Sequence, residues 1–237
     1  MVPVLAPTVA GELVKTTSLI AAPSTQLLQI LGVLLLLSTF AITAARLLSH
    51  AIWAYMLQSL LLGLIAGVVG YITGSVDLYA VAVLTIVVKC GAIGWILQRI
   101  TRRLHIQREV RPYINVPSSL LICVLLTVLA FFVSPAVVAR GVVPDKPPLA
   151  ISIALVLMGL FLLASRRHVV MQVVGLLTIE NGLFAGAIAI AYGMPLIVEF
   201  GILFDILIAV IVMGLLVTLI QRVLVSADTA DLRRLRG

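Results

Sequence analysis

Charged side chains are scarce in this sequence. Sixteen Lys and Arg and nine Asp and Glu make up 11% of 237 residues, against about 25% in an average soluble domain. With 62% hydrophobic residues and a mean hydropathy of +1.26, too little polar surface remains to cover a globule in water. That excludes an ordinary soluble enzyme and a disordered chain. The two cysteines, Cys90 and Cys123, lie inside apolar runs and form no CxxC or His/Cys spacing. A disulfide scaffold and a cysteine-based metal site are therefore excluded, and both residues read as buried free thiols. No P-loop, GxSxG, HExxH or Rossmann glycine pattern occurs, and no pair of helical histidines is placed to ligate haem. The sequence calls for no cofactor, no metal and no catalytic residue. The formal charge of +7 does not point to nucleic acid, because the basic residues sit in short loops.

What is abundant is uninterrupted apolar chain. Residues 16–45 and 47–76 are each 30 residues without Asp, Glu, Lys or Arg, and residues 112–139 are 28. A helix needs about 20 apolar residues to cross a hydrocarbon core of about 30 Å, whereas barrel strands alternate over about 10 residues. Runs such as LLQILGVLLLLSTFAITAA are continuous, so the fold is all-α, a polytopic transmembrane helix bundle. Charged clusters and Pro/Gly breaks place seven spans at 24–45, 51–73, 78–98, 117–139, 148–165, 168–191 and 197–221. Residues 1–23 lack the basic start of a signal peptide and read as an outer segment partly at the membrane surface. Residues 225–237 read as a polar cytoplasmic tail.

Orientation follows from the basic residues. One side collects Arg46, Arg99, Arg102, Arg103, Arg108, Arg111, Arg166, Arg167, Arg222, Arg233, Arg234 and Arg236, and the other holds Lys15, Arg140 and Lys146. This bias puts the N-terminus outside and the C-terminus in the cytoplasm of a cell (inner or plasma) membrane. Tyr71, Tyr79, Trp95, Tyr113 and Tyr192 fall near expected helix ends, where amphipathic rings favour the headgroup layer.

Four ionisable residues remain inside or against the membrane: Lys89, Glu180, Glu199 and Asp205. A charge at mid-bilayer costs about 2.5–3.5 kcal/mol even on the lenient insertion scale, so such residues face a bundle interior or water. At 1.5 Å per residue, Glu180 lies about 18 Å from the cytoplasmic end of its helix, Asp205 about 12 Å from the outer end of the next, and Lys89 about 16 Å from the outer end of the third. Three charges therefore share a depth near the midplane, while Glu199 is two residues into its helix. The functional reading is a proton relay. A carboxyl in low dielectric holds its proton more tightly and a nearby lysine loosens it, so the two can exchange protons at physiological pH. The plainer reading is an ion pair that fixes helix packing. His50, His105 and His168 sit at cytoplasmic loop edges and read as solvated or headgroup-contacting. Gly63, Gly67, Gly70 and Gly74, and Gly182 with Gly186, form small-residue stripes that let helices approach closely.

The stretch RRHVVMQVVGLLTIENGLFAGAIAIAYGMPLIVEFGILFDILIAVIVMGLLVTLIQR resembles the K-type small subunit of respiratory complex I. It is also similar to the C subunit of multisubunit Na⁺/H⁺ antiporters. Four preceding spans with a lysine on the third, in LTIVVKCGAIGWILQR, make the whole chain similar to the hydrogenase-4 component E family. The resemblance divides the chain into a four-helix extension, 24–139, and a three-helix K-type unit, 148–224. It implies a non-catalytic membrane subunit of a complex I-like or membrane-bound hydrogenase-type complex, whose peripheral arm does redox chemistry and whose membrane arm moves protons. Implied partners are antiporter-like subunits and the membrane subunits of a quinone or hydrogenase module, within the lipid bilayer. Glu180, in GLLTIENGLFAG, matches the family carboxylate on the middle helix of the unit. The second carboxylate falls on Asp205, in FGILFDILIAV, with Glu199 competing for the register. Lys89 belongs to the extension and has no counterpart in the short complex I subunit. Two alternatives stay open, a subunit of a cation/proton antiporter with no redox partner, and a structural membrane scaffold with no direct proton role.

Overall fold

The computed structural model describes residues 6–103, 114–138 and 146–190. Apart from short links these residues are helical, with no strand among them. The elements are α1 (Ala6–Ala44), α2 (Leu48–Thr73), α3 (Val76–Leu84), a π-helical segment (Thr85–Ile93), α4 (Gly94–Arg103), α5 (Val116–Val138), α6 (Lys146–Ser165) and α7 (Val169–Ile190). The segment from α3 through the π-helix to α4 is one uninterrupted span. Among the described residues, six helices are long and apolar enough to cross a membrane: Thr25–Ala44, Leu48–Thr73, Val76–Arg99, Val116–Pro135, Pro147–Ser165 and Val169–Ile190. They coincide with the first six expected spans. The seventh, 197–221, lies outside the described residues, as do Glu199 and Asp205.

Two features add to the expected outline. The first helix begins at Ala6 and runs 39 residues, through the segment expected to lie apart from the span. Gly74, expected within a packing stripe, instead ends α2. Its φ of 66° is left-handed, and its N–H donates to the Gly70 carbonyl. Ser75 N–H donates to the same oxygen at 3.2 Å. A residue without Cβ adopts this conformation at little cost, and α3 starts two residues later.

Several of the other glycines do set helix spacing. A Cβ on Gly63 would come within 2.5 Å of Ile86 Cγ1, and one on Gly70 within 3.2 Å of Leu78 Cβ, so α2 lies closely against the third span. Contact between α6 and α7 is tighter, and it is between backbones. A Cβ on Gly159 would meet the Ile179 amide nitrogen at 2.8 Å, one on Gly175 the Leu163 nitrogen at 2.8 Å, and one on Gly182 the Val156 nitrogen at 2.8 Å. In lipid, where apolar side chains gain nothing by leaving one membrane environment for another, close packing through small residues is a main source of helix association. Helix α2 packs against α1, the third span and α7, while α5 lies at the periphery against α6 and α1. The outward faces carry bare apolar side chains such as Leu121, Leu125 and Phe132.

One end of the bundle gathers basic residues. The Arg166 guanidinium, after α6, donates from Nη2 to the Thr43 carbonyl near the end of α1 at 2.6 Å. Gln98 on α4 reaches Met56 Sδ, near the start of α2, at 3.7 Å. The chain segments holding Arg46, Arg99 and Arg166 thus lie toward the same end. Arg99 stacks over the exposed Trp95 ring at 5.0 Å.

Candidate functional site: a buried ion pair and its polar seam

Lys89 lies at the middle of the π-helical segment and Glu180 at the middle of α7. Their side chains meet, Nζ to Oε1, at 2.8 Å, with only 2% and 3% of each exposed. π-Helical turns, with their i→i+5 bonds, are rare and recur at functional sites; here that segment carries the only lysine of the third span, whose side chain reaches α7. Lys89 Nζ also donates to Asn181 Oδ1 at 3.4 Å, and the ammonium lies 5.5 Å from the centroid of the Phe184 ring.

From this pair a line of buried polar groups crosses four elements. Asn181 Nδ2 donates to Gln58 Oε1 at 3.2 Å and to Ser59 Oγ at 3.3 Å, both on α2. Gln58 Nε2 donates to Thr39 Oγ1 on α1 at 2.8 Å, and the Thr39 hydroxyl donates to the Leu35 carbonyl at 3.2 Å. One turn on, the Thr43 hydroxyl donates to the Thr39 carbonyl at 3.0 Å and lies 3.7 Å from Cys123 Sγ on α5. The line ends at Arg166, which donates to the Thr43 carbonyl. Thr39, Thr43, Gln58, Ser59 and Asn181 are all fully buried. In a low-dielectric interior each unpaired polar group costs on the order of 1–3 kcal/mol. The chaining of one group's donor to the next group's acceptor makes the seam tolerable.

Of the four ionisable residues expected inside or against the membrane, Lys89 and Glu180 are brought together directly. Glu199 and Asp205 lie outside the described residues. Five seam residues carry no charge to mark them in the sequence: Thr39, Thr43, Gln58, Ser59 and Asn181. Asn181 follows Glu180 directly in the quoted motif, and Gln58 is an amide inside a run of 30 residues without a charge; those were the available signals. Arg166 was read as a loop residue. It is 1% exposed, because α1 ends with backbone carbonyls that lack helical partners, and a guanidinium satisfies one of them. Cys123 is buried and Cys90 half-buried, both as free thiols. His168 is half-buried, with Nδ1 accepting the Val170 N–H at 3.4 Å. Burial lowers its pKa from the ordinary 6.5.

Residues 147–237 match the family model for NADH-ubiquinone/plastoquinone oxidoreductase chain 4L. Hydrogenase-4 component E of Escherichia coli K12 is 35% identical over 121 residues, covering 50% of this chain and 55% of that protein. The chain belongs to the hydrogenase-4 component E family. Uncharacterized protein Rv0085 of Mycobacterium tuberculosis is 39% identical over 162 residues, covering 67% of this chain and 73% of that protein. The Shigella flexneri hydrogenase-4 component E matches at 35% over 121 residues. The match spans about half the length of the hydrogenase-4 proteins. No solved structure matches the chain. The family thus places this multi-pass membrane protein with complex I-like membrane subunits, and the chain 4L-type segment contains α6 and α7, hence Glu180 and Asn181. Lys89, Gln58, Ser59 and Thr39 all come from residues before it. The ion pair therefore joins a residue that precedes the matched segment to one inside it.

Proposed function

We propose that this component E protein is a non-catalytic membrane subunit of a complex I-like or membrane-bound hydrogenase-type complex, and that it contributes Glu180 and Lys89 to a proton-translocation path. The single observation carrying this reading is the ion pair itself. A lysine and a glutamate 2.8 Å apart sit in the interior of an apolar bundle, the glutamate on a helix that belongs to the chain 4L-type unit. If packing were the only requirement, an apolar pair of similar volume would serve as well or better, since burying two charges rarely stabilises on balance. A protonatable pair has a use that an apolar pair lacks. When Glu180 takes up a proton the attraction to Lys89 weakens, and when it gives the proton up the attraction returns, so proton occupancy is coupled to side-chain position. On the last span Asp205, with Glu199 competing for the role, continues the path. Antiporter-like subunits and membrane subunits of a quinone or hydrogenase module flank the protein in a cell membrane, and redox chemistry belongs to the peripheral arm of the complex.

Glu180→Gln tests this, because it keeps volume and removes the titratable proton. In membrane vesicles containing the whole complex, the variant should assemble normally and lose most coupled proton pumping. Normal pumping in an assembled Glu180→Gln complex removes Glu180 from the path. Loss of assembly favours the scaffold reading, in which the pair only holds helices together.

A further inference from the structure

The Lys89 ammonium has three partners on α7. Beyond the Glu180 carboxylate, the Asn181 carbonyl lies at 3.4 Å and the Phe184 ring at 5.5 Å to its centroid. Phe184 follows Glu180 by one helical turn, so ring and carboxylate share a face. The direction of the Asn181 amide is set from behind. Its Nδ2 is engaged by Gln58 Oε1 and Ser59 Oγ, which leaves Oδ1 to face the ammonium. Gln58 is held in turn, its Nε2 donating to the Thr39 hydroxyl at 2.8 Å. Asn181 and Gln58 are fully buried and Phe184 is 9% exposed. A lysine paired for good with a carboxylate has no need of a carbonyl and a ring face built around it.

We propose that Asn181 and Phe184, with Gln58 fixing the Asn181 amide, form a second cradle that retains the Lys89 ammonium when Glu180 takes up a proton. This rests on the reading that Glu180 changes protonation. At that moment the ammonium loses its counter-charge while still buried, which is costly in a low-dielectric interior. A carbonyl dipole and the negative face of an aromatic ring each compensate part of that cost. The ammonium therefore stays in the bundle interior instead of withdrawing, and it is in place to recapture the carboxylate once the proton leaves. Asn181, Phe184 and Gln58 are positioning residues in this scheme; they exchange no proton.

The cradle matters most when Glu180 is neutral, and a double-mutant cycle reads that directly. Glu180→Gln stands in for the protonated acid. Thermal loss of the intact complex, extracted in mild detergent, is followed for Phe184→Leu in the wild-type and Glu180→Gln backgrounds. A cation–π contact of the usual strength gives an extra downward shift of about 2–4 °C in the Glu180→Gln background. Phe184→Tyr, which keeps a ring face, should remove that excess, and Asn181→Ala should reproduce it. A loss of equal or smaller size in the Glu180→Gln background overturns the cradle. If Phe184→Leu fails to assemble with Glu180 intact, Asn181→Ala is read in the same cycle, and a loss there of equal or smaller size in the Glu180→Gln background overturns the cradle. Pumping by the Glu180→Gln single variant separates the two readings. If it is normal, the proton-path reading fails; if it is lost while the cycle is additive, only the cradle fails.

Discussion

Lys89→Met isolates the energetics of the ion pair. Methionine keeps most of the lysine's length and removes the charge, so the packing between the π-helical segment and α2 is largely preserved. Glu180 is then left 3% exposed with no ammonium beside it. A buried carboxylate stripped of its partner costs about 3–5 kcal/mol, and the carboxyl escapes part of that by taking up a proton. For a carboxyl of ordinary glutamate acidity, protonation at pH 7 requires about 3.7 kcal/mol and at pH 5 about 1 kcal/mol. The folded variant then binds a proton that the unfolded chain does not, so its stability falls as pH rises. Relative to wild type, Lys89→Met should lose about 3–4 kcal/mol at pH 7 and about 1–2 kcal/mol at pH 5. Loss of the ammonium bonded to Asn181 accounts for a further small share at both values. The assay is thermal loss of the intact complex in nanodiscs at the two pH values. Adding Glu180→Gln to Lys89→Met should recover most of the pH 7 loss, because both charges are then gone. A Lys89→Met penalty independent of pH, or a double variant no more stable than the single, would refute the reasoning.

Three further outcomes follow from other parts of the bundle. Gly182→Ala sets a methyl 2.8 Å from the Val156 backbone nitrogen and should destabilise by about 1–3 kcal/mol. Gly67→Ala, with its nearest neighbour at 3.9 Å, should be nearly silent in the same thermal assay. Arg166→Ala removes a 2.6 Å charged hydrogen bond to the Thr43 carbonyl and should cost about 1.5–3 kcal/mol, whereas Arg167→Ala, on the exposed neighbour, should change the melting point little. For His168, the folded state keeps off a proton that the unfolded chain accepts. Its contribution is therefore complete above pH 6.5 and declines as pH falls below that value, and His168→Gln should flatten that acid limb in melts taken from neutral to acid pH.

How much of this was readable beforehand depended on what each feature costs in a membrane. The spans were legible because a run of 30 residues without a charge has few alternatives in lipid. Lys89 and Glu180 were legible for the opposite reason, since a lone charge in such a run is expensive enough to demand an explanation. Their pairing was not, because helix rotation and the π-helical segment decide which faces meet, and hydropathy carries no rotational information at that depth. Gln58, Asn181 and Thr39 escaped notice because a membrane helix tolerates an amide or a hydroxyl at modest cost, and a threonine satisfies itself on its own backbone, as Thr43 does on the Thr39 carbonyl. Arg166 misled because arginine next to a span is ordinarily a loop residue. Its burial follows from the position of the end of α1, which the packing of α1 on its neighbouring helices sets.

The division into an extension and a chain 4L-type unit is a division of sequence, and the charges do not respect it. Glu180 lies within the matched residues 147–237, yet its counter-charge comes from the third span and its neighbour's amide is fixed by α2 and α1. Without Lys89 the Glu180 carboxylate would lose this counter-charge in a low-dielectric interior, a costly state. Carrying Lys89 in the same chain makes the pair independent of which subunit packs against the unit. The Gln58–Asn181 link then serves a definite end, since it ties the helix bearing the carboxylate to the half of the protein bearing the ammonium. A polar contact worth about 0.6 kcal/mol on average in a membrane adds little as glue. It adds more as direction, because an amide held at both ends presents its carbonyl, and not its NH₂, to the ammonium.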